Sequence, residues 1–315
     1  MSDTPLIVGI AQIAPVWLDR AATLARVAEW VDRAAAAGCG LVAFGEALVP
    51  GYPFWLEWTD GARFDSDAQR DLFAAYSAQA VDIDAGHLDG VCAAAARGGL
   101  AVVLGVVERP RDRSGHSLYC SAVTIDAAGR IVSVHRKLMP TYDERLVWSP
   151  GDGHGLVVHR VGDFTLGSLN CFENWLPLAR AALHAQGEDL HVAIWPGNVR
   201  NTAALTPVLA VEGRSYVLSA SGLLAHGDVP PDHAAAAMLA KCPAVLADGG
   251  SCIAAPDGSW LVPPTTGEAL LTATLDPAAV RAARRTFDPS GHYSRPDVTR
   301  LTVDRTRQGV ARFVD

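Results

Sequence analysis

Leu6-Ile7-Val8-Gly9-Ile10-Ala11-Gln12-Ile13-Ala14 opens the chain's first apolar run, and Leu41-Val42-Ala43-Phe44-Gly45-Glu46 closes the unit it starts. The first run is rich in β-branched residues and predicts a strand. Between the two, Leu18 to Ala37 places Leu24, Val27, Val31 and Ala34 or Ala35 on one face, which predicts a helix. Gly38 and Gly40 stop that helix, and Leu41 to Phe44 is a short second strand. Strand, helix and strand in this order imply a parallel pair joined by a crossover helix, so the chain starts as an α/β fold.

The pattern continues outward from there. A loop from Ala47 to about Asp65 is crowded with Pro50, Gly51, Tyr52, Pro53, Phe54, Trp55 and Trp58, and long loops at strand ends in α/β folds tend to carry function. Helices are expected at about 67–81, 85–97, 176–185 and 203–214, with strands at 101–109, 191–195, 216–221 and 270–275. Hairpins are expected at 119–137, 156–169 and 251–262, turned at Asp126-Ala127-Ala128-Gly129, Gly162-Asp163 and Pro256-Asp257-Gly258. Residues 222–250 read as an irregular loop. Pro277 to Arg285 reads as a helix capped by Asp276, followed by a tail with little periodicity. Hairpins among the strand–helix units imply mixed sheets rather than a purely parallel barrel. The two turned hairpins at 126–129 and 257–258 suggest two similar halves in one domain, expected over 1–298 with a tail at 299–315.

Composition narrows the function. Half of the 315 residues are apolar and 19% are charged, which supports a packed core rather than disorder. The net charge is −8, and the densest basic group, Arg281, Arg284 and Arg285, fits one helix surface, so no nucleic-acid partner is expected. Apolar runs such as Leu100 to Val107 are too short to span a membrane. Met1 to Pro5 has no basic n-region, no N-x-S/T sequon occurs, and the six cysteines form no C-x-x-C, so a cytoplasmic protein with free thiols is expected.

Three segments put a reactive group at the end of a strand: Glu46, Lys137 and Cys171. Taken singly, each has an ordinary reading as an ion-pair partner, a surface cation or a small buried hydrophobe. Together they answer one chemical need. A thiol is mostly protonated at neutral pH and needs a base. A carboxylate in a low-dielectric pocket can be that base, and a fixed ammonium can stabilise developing negative charge. His226 and His233 share a loop, but solvated histidines are the simpler reading, and no metal site or cofactor is expected.

The surrounding residues resemble the nitrilase branch of the carbon–nitrogen hydrolase superfamily. The resemblance lies in five ordered segments: Phe44 to Pro53, His135 to Arg145, Asn170 to Asn174, Val211 to Val217 and Gly291 to Val298. It implies Glu46 as general base, Lys137 as cationic stabiliser, Cys171 as nucleophile, and Glu144 as a second glutamate that orients the lysine and the substrate. It also implies a four-layer αββα sandwich with mixed sheets, assembled as a homodimer or larger homo-oligomer. The implied reaction converts a small organic nitrile to its carboxylic acid and ammonia through thioimidate and thioester intermediates. Phe172 stands where the family usually has Trp. Tyr52, Trp55, Tyr142, Phe172 and Trp195 are the aromatics near the motifs expected to line the substrate pocket. Two alternatives stay open within the fold, an amidase or carbamoylase and a cyanide-hydrolysing enzyme, and one outside it, a catalytically silent scaffold.

Overall fold

The computed structural model describes residues 4–229, 242–311 and 314. The opening Met1-Ser2-Asp3 and His233 lie outside these residues. Thirteen strands among the described residues form two mixed sheets. The first has the order β13-β1-β2-β3-β4-β5, with β1 Leu6–Gln12, β2 Leu41–Ala43, β3 Ala101–Glu108, β4 Tyr119–Ile125, β5 Ile131–Arg136 and β13 Ala269–Leu275. The second has the order β10-β11-β9-β8-β7-β6, with β12 on β11. Its strands are β6 His159–Val161, β7 Phe164–Asn170, β8 Leu190–Trp195, β9 Tyr216–Ser221, β10 Leu223–Ala225, β11 Val245–Ala254 and β12 Trp260–Thr266.

Each sheet has three parallel strands at its centre, β1-β2-β3 in one and β7-β8-β9 in the other. Antiparallel strands flank both centres. The two hairpins noted in the sequence, β4–β5 and β11–β12, occupy corresponding places beside them.

Side-chain alternation explains the layering. In β1–β3, Val8, Ile10, Leu41, Ala43, Ala101 and Val103 face Phe164, Leu166, Leu190, Val192 and Ile194 of the second sheet. The intervening Val42, Phe44, Val102 and Leu104 face the helices Arg20–Ala36 and Asp89–Gly98 through Val27, Val31, Val91 and Ala94. On the far side, Ala193, Trp195 and Val217 pack under Leu205, Leu209 and Ala210 of the helix Leu205–Gly213, beside the helix Pro177–His184. Successive residues of a strand point to opposite faces, so strands buried on both faces read as continuous apolar runs. The result is a four-layer αββα sandwich.

Three expectations are corrected. Residues 222–250 are not wholly irregular, because β10 lies in them and β11 begins at Val245. The helix expected at 203–214 is two pieces, Val199–Thr202 and Leu205–Gly213. The loop at 47–65 contains a one-turn helix, Trp55–Trp58. Beyond the helix Pro277–Arg284, the tail has no helix or strand among the described residues. It does dock: the Arg307 guanidinium and the Gln308 N–H both donate to the Asp152 carboxylate, each at 3.0 Å.

Candidate active site

Each strand delivers its reactive residue at its end. β2 stops at Ala43, and the Glu46 N–H donates to the Trp195 carbonyl at 3.0 Å, tying the segment to the end of β8. Gly105 of β3 lets the same segment pass close over β3, since a Cβ there would lie 2.7 Å from Glu46 Cα. Lys137 follows β5, and its N–H donates to the Cys120 carbonyl at 2.8 Å. β7 ends at Asn170 and turns sharply into a short 3-10 segment starting at Cys171. Cys171 has φ 45°, a left-handed conformation costing a non-glycine residue on the order of 1–3 kcal/mol. Ala47, next to Glu46, also has positive φ, as do Asn198 on the wall of the cavity that Cys171 lines and Tyr142 between its wall residues Thr141 and Asp143. Such strain persists where surrounding bonds over-determine the backbone.

The three strand ends converge with Glu144. The Lys137 ammonium lies 2.9 Å from Glu46 Oε1 and 2.6 Å from Glu144 Oε2, and all three side chains are buried. Ligand atoms of Glu46, Glu144 and Cys171 lie within 4.8 Å of one another. Three such groups resemble a cation site, but the lysine ammonium already occupies the cation's place between both carboxylates. Glu144 also accepts from the Tyr52 hydroxyl and the Thr141 N–H, each at 2.6 Å. With three donors on it, Glu144 is a fixed anchor for the lysine.

Glu46 differs. Oε1 accepts from Lys137 and from the Cys120 thiol at 3.4 Å, while Oε2 is buried without a hydrogen-bond partner. Burial is the main force on this carboxyl and pushes it up to about 7, against the lowering by Lys137 and with help from the Glu144 charge. Burial also holds the Cys171 thiol well above its ordinary value, with Glu46 adding to the rise and Lys137 and the Phe172 N–H opposing it. Burial works against the Lys137 charge, but Cys171, Glu46 and Glu144 outweigh it and hold the ammonium well above its ordinary value. The site therefore holds a neutral thiol, a fixed ammonium and a carboxylate with one free buried oxygen near neutrality.

Cys171 sits in the wall of a cavity of about 190 Å³, with Tyr52, Glu144 and Phe172 among its other walls. Of the five aromatics expected there, Tyr52 and Phe172 line it. Trp55 and Trp195 do not: both are fully buried, Trp55 in the core beside Tyr76 and Trp195 on the helix-facing side of β8. Tyr142 is 82% exposed and outside the cavity wall. In their place the walls carry Glu57, Asp143, Asn198, Arg200 and Asn201, so the cavity is more polar than the aromatic count suggested. The last three cap or belong to the short helix Val199–Thr202 that follows β8, a strand end that sequence reasoning passed over although strand ends carried Glu46, Lys137 and Cys171.

Glu173 was missed as well. It is buried and accepts from Asn170 N–H at 2.9 Å, Leu138 N–H at 2.5 Å and His135 Nε2 at 3.0 Å, so one carboxylate joins the cysteine turn to the lysine loop. Burial would raise it, but the His135 charge and these donors hold it below the usual range. The signal was Asn170 followed three residues later by Glu173, a capping-box spacing.

The family model described as Carbon-nitrogen hydrolase matches residues 7–285. The chain is 40% identical to a nitrilase of Pseudomonas syringae pv. syringae, over 94% of this chain and 89% of that protein. It is 34% identical to Nitrilase 2 of Arabidopsis thaliana, over 97% and 90%. Among solved structures, a carbon-nitrogen hydrolase from Helicobacter pylori superposes with a TM-score of 0.67 at 18% identity, covering 93% of this chain and 97% of that one. An amidase from Nesterenkonia sp. superposes at 0.63 and 20%, covering 89% and 97%. At these identities the two structures speak for the fold alone.

Proposed function

The chain belongs to the carbon–nitrogen hydrolase family, and we propose that it is a nitrilase working through Cys171, Glu46 and Lys137. The observation that carries this reading is the buried Lys137 ammonium clamped between Glu46 and Glu144, with the Cys171 thiol beside both carboxylates. Glu46 takes the Cys171 proton on its free oxygen as the sulfur attacks the nitrile carbon. A thioimidate forms as Glu46 passes that proton to the nitrile nitrogen and becomes a carboxylate again. Water, deprotonated by Glu46, adds to it; ammonia leaves and a thioester remains. A second water releases the carboxylic acid and returns the thiol. Covalent catalysis divides one difficult addition into easier steps. Lys137 and the Phe172 N–H balance the charge that develops on the substrate's nitrogen and later oxygen. Glu144 holds the lysine in place.

The substrate is a small organic nitrile with room for a polar group, given Asn198, Arg200 and Asn201 in the walls. Residues 1–298 are read as one domain with a docked tail. Leu178 and Val208, on the helices Pro177–His184 and Leu205–Gly213, are 69% and 56% exposed, as is much of nearby Trp175. Such apolar exposure supports self-association through this helix layer. Among the described residues no helix is long and apolar enough to cross a membrane. A reducing compartment such as the cytoplasm suits a chain whose nucleophile is a free thiol.

Rapid acid quench during nitrile turnover, followed by peptide mapping, tests the chemistry. An acyl or imidoyl mass on the Cys171 peptide is expected, and a mass on another residue would overturn the assignment.

A further inference from the structure

A second buried chain of polar groups runs beneath Cys171 on its helix side. Asn174 Nδ2 donates to the Cys171 carbonyl at 2.8 Å and to the Leu169 carbonyl at 3.3 Å. Those two carbonyls fix the orientation of the amide, so Oδ1 points the other way, 2.7 Å from His191 Nε2. An amide oxygen only accepts, so Nε2 carries a proton. His191 Nδ1 lies 2.7 Å from Glu188 Oε1. All three side chains are buried, with Asn174 and Glu188 fully so and His191 at 3% exposure. Space is reserved for this chain: a Cβ at Gly167 of β7 would lie 2.1 Å from Glu188 Oε1. Arg180 secures the other end, donating to the Asn174 carbonyl at 2.6 Å while paired with Glu212.

The carbonyl that Asn174 grips belongs to the same peptide unit as the Phe172 N–H. In a trans peptide these two groups point in opposite directions. A bond on the carbonyl from below therefore fixes the direction of the N–H above, the group that works to lower the Cys171 thiol. It also stabilises the left-handed φ of Cys171. We infer that Glu188, His191 and Asn174 form a positioning chain that aims the Phe172 N–H at the reacting centre. The inference rests on Cys171 being the nucleophile. None of the three residues touches the substrate; they act through one peptide plane.

Asn174→Asp keeps the shape and replaces the donor with an acceptor facing the Cys171 carbonyl. Because the peptide would lose its aim, kcat falls about 100-fold, the usual scale for losing one oxyanion donor, with KM within about threefold. The rate of Cys171 alkylation by iodoacetamide, followed against pH by mass, shifts its midpoint upward by about one unit, since a donor to the thiolate is lost. His191→Phe, without a donor, behaves like Asn174→Asp, whereas His191→Gln retains an N–H toward Asn174 and recovers most of the lost kcat. A purely structural role would lower thermal stability in all three variants without moving the alkylation midpoint. Wild-type kcat and midpoint in Asn174→Asp would overturn the inference. If that variant does not fold, equal kcat and midpoints in His191→Phe and His191→Gln would do so. The alkylation profile is read without any substrate, so it stands apart from whether nitriles are the substrates.

Discussion

Replacing Glu46 with Gln should abolish turnover and, above neutral pH, make the protein more stable. The reason is the burial that suits Glu46 to its work. Its carboxyl is held up at about 7 in the folded chain, against an ordinary value of 4.5. Below pH 4.5 the group is protonated in both folded and unfolded chains and contributes no pH dependence. Between 4.5 and 7 the folded chain binds more protons than the unfolded one, so stability falls as pH rises. Above 7 the loss is complete. A rise of about 2.5 units corresponds to about 3 kcal/mol, because each unit is worth about 1.4 kcal/mol. Gln copies the shape of the neutral acid and never ionises. The advantage of Glu46→Gln over wild type should be near zero at pH 4.5, grow through pH 7, and level off at about 3 kcal/mol. For a chain of this length that corresponds to a melting temperature higher by about 5 °C at pH 8. Urea unfolding of both proteins at half-unit steps from pH 5 to 8 measures it. A difference that does not change with pH, or a wild type more stable at pH 8, would refute the reasoning.

Other predictions follow from the same contacts. The acidic limb of kcat/KM should have its midpoint near pH 7, where Glu46 gains its charge, and Glu144→Gln should move it lower because the Glu144 charge raises Glu46; a pH-rate profile of each reads this. Lys137→Met should lower kcat by about 100- to 1000-fold, the range for losing an electrostatic stabiliser, measured by ammonia release. Tyr52→Phe removes one donor from Glu144 and should cost about tenfold in kcat, the low end for a bond to a charged group, while leaving the fold intact by circular dichroism. Leu178→Glu with Val208→Glu should shift the sedimentation coefficient toward that of a monomer, since both side chains lie exposed on the helix layer.

Much of the fold was legible because its strands are buried on both sides and its helices on one. Leu41 to Phe44 and Leu100 to Val107 show as continuous apolar runs, and the helix Arg20–Ala36 shows its 3.6-residue face. The first half of β11 was hidden for a physical reason. Asp248-Gly249-Gly250 reads as a loop, and both glycines do adopt left-handed backbone, but register shifts in the ladder absorb them and the strand continues. Pairing of Val245, Ala247 and Asp248 with β10, which no local pattern reveals, makes this half of the strand. In the site, Glu46, Lys137 and Cys171 were readable from type and position at strand ends, while Glu144, in the short 3-10 segment Tyr142–Leu146, came only from the family resemblance; the two carboxylates meet at the Lys137 ammonium. The aromatic lining was not. Strand alternation puts Trp195 on the same face as His191 and Ala193, toward the helices, and a one-turn helix turns Trp55 into the core. Proximity in sequence to a motif says little about which face a side chain takes. The polar wall and the supports at Glu173 and Asn174 depend on tertiary approach between segments far apart in the chain.

The account depends most on nitrile hydrolysis through one cysteine. Ammonia release from an organic nitrile and from its matching amide, measured on wild type and on Cys171→Ala prepared side by side, tests this most directly. The account predicts that wild type releases ammonia from the nitrile faster than from the amide and that Cys171→Ala falls to background on both. Release from the amide alone, or continued release from the nitrile by Cys171→Ala, would contradict it.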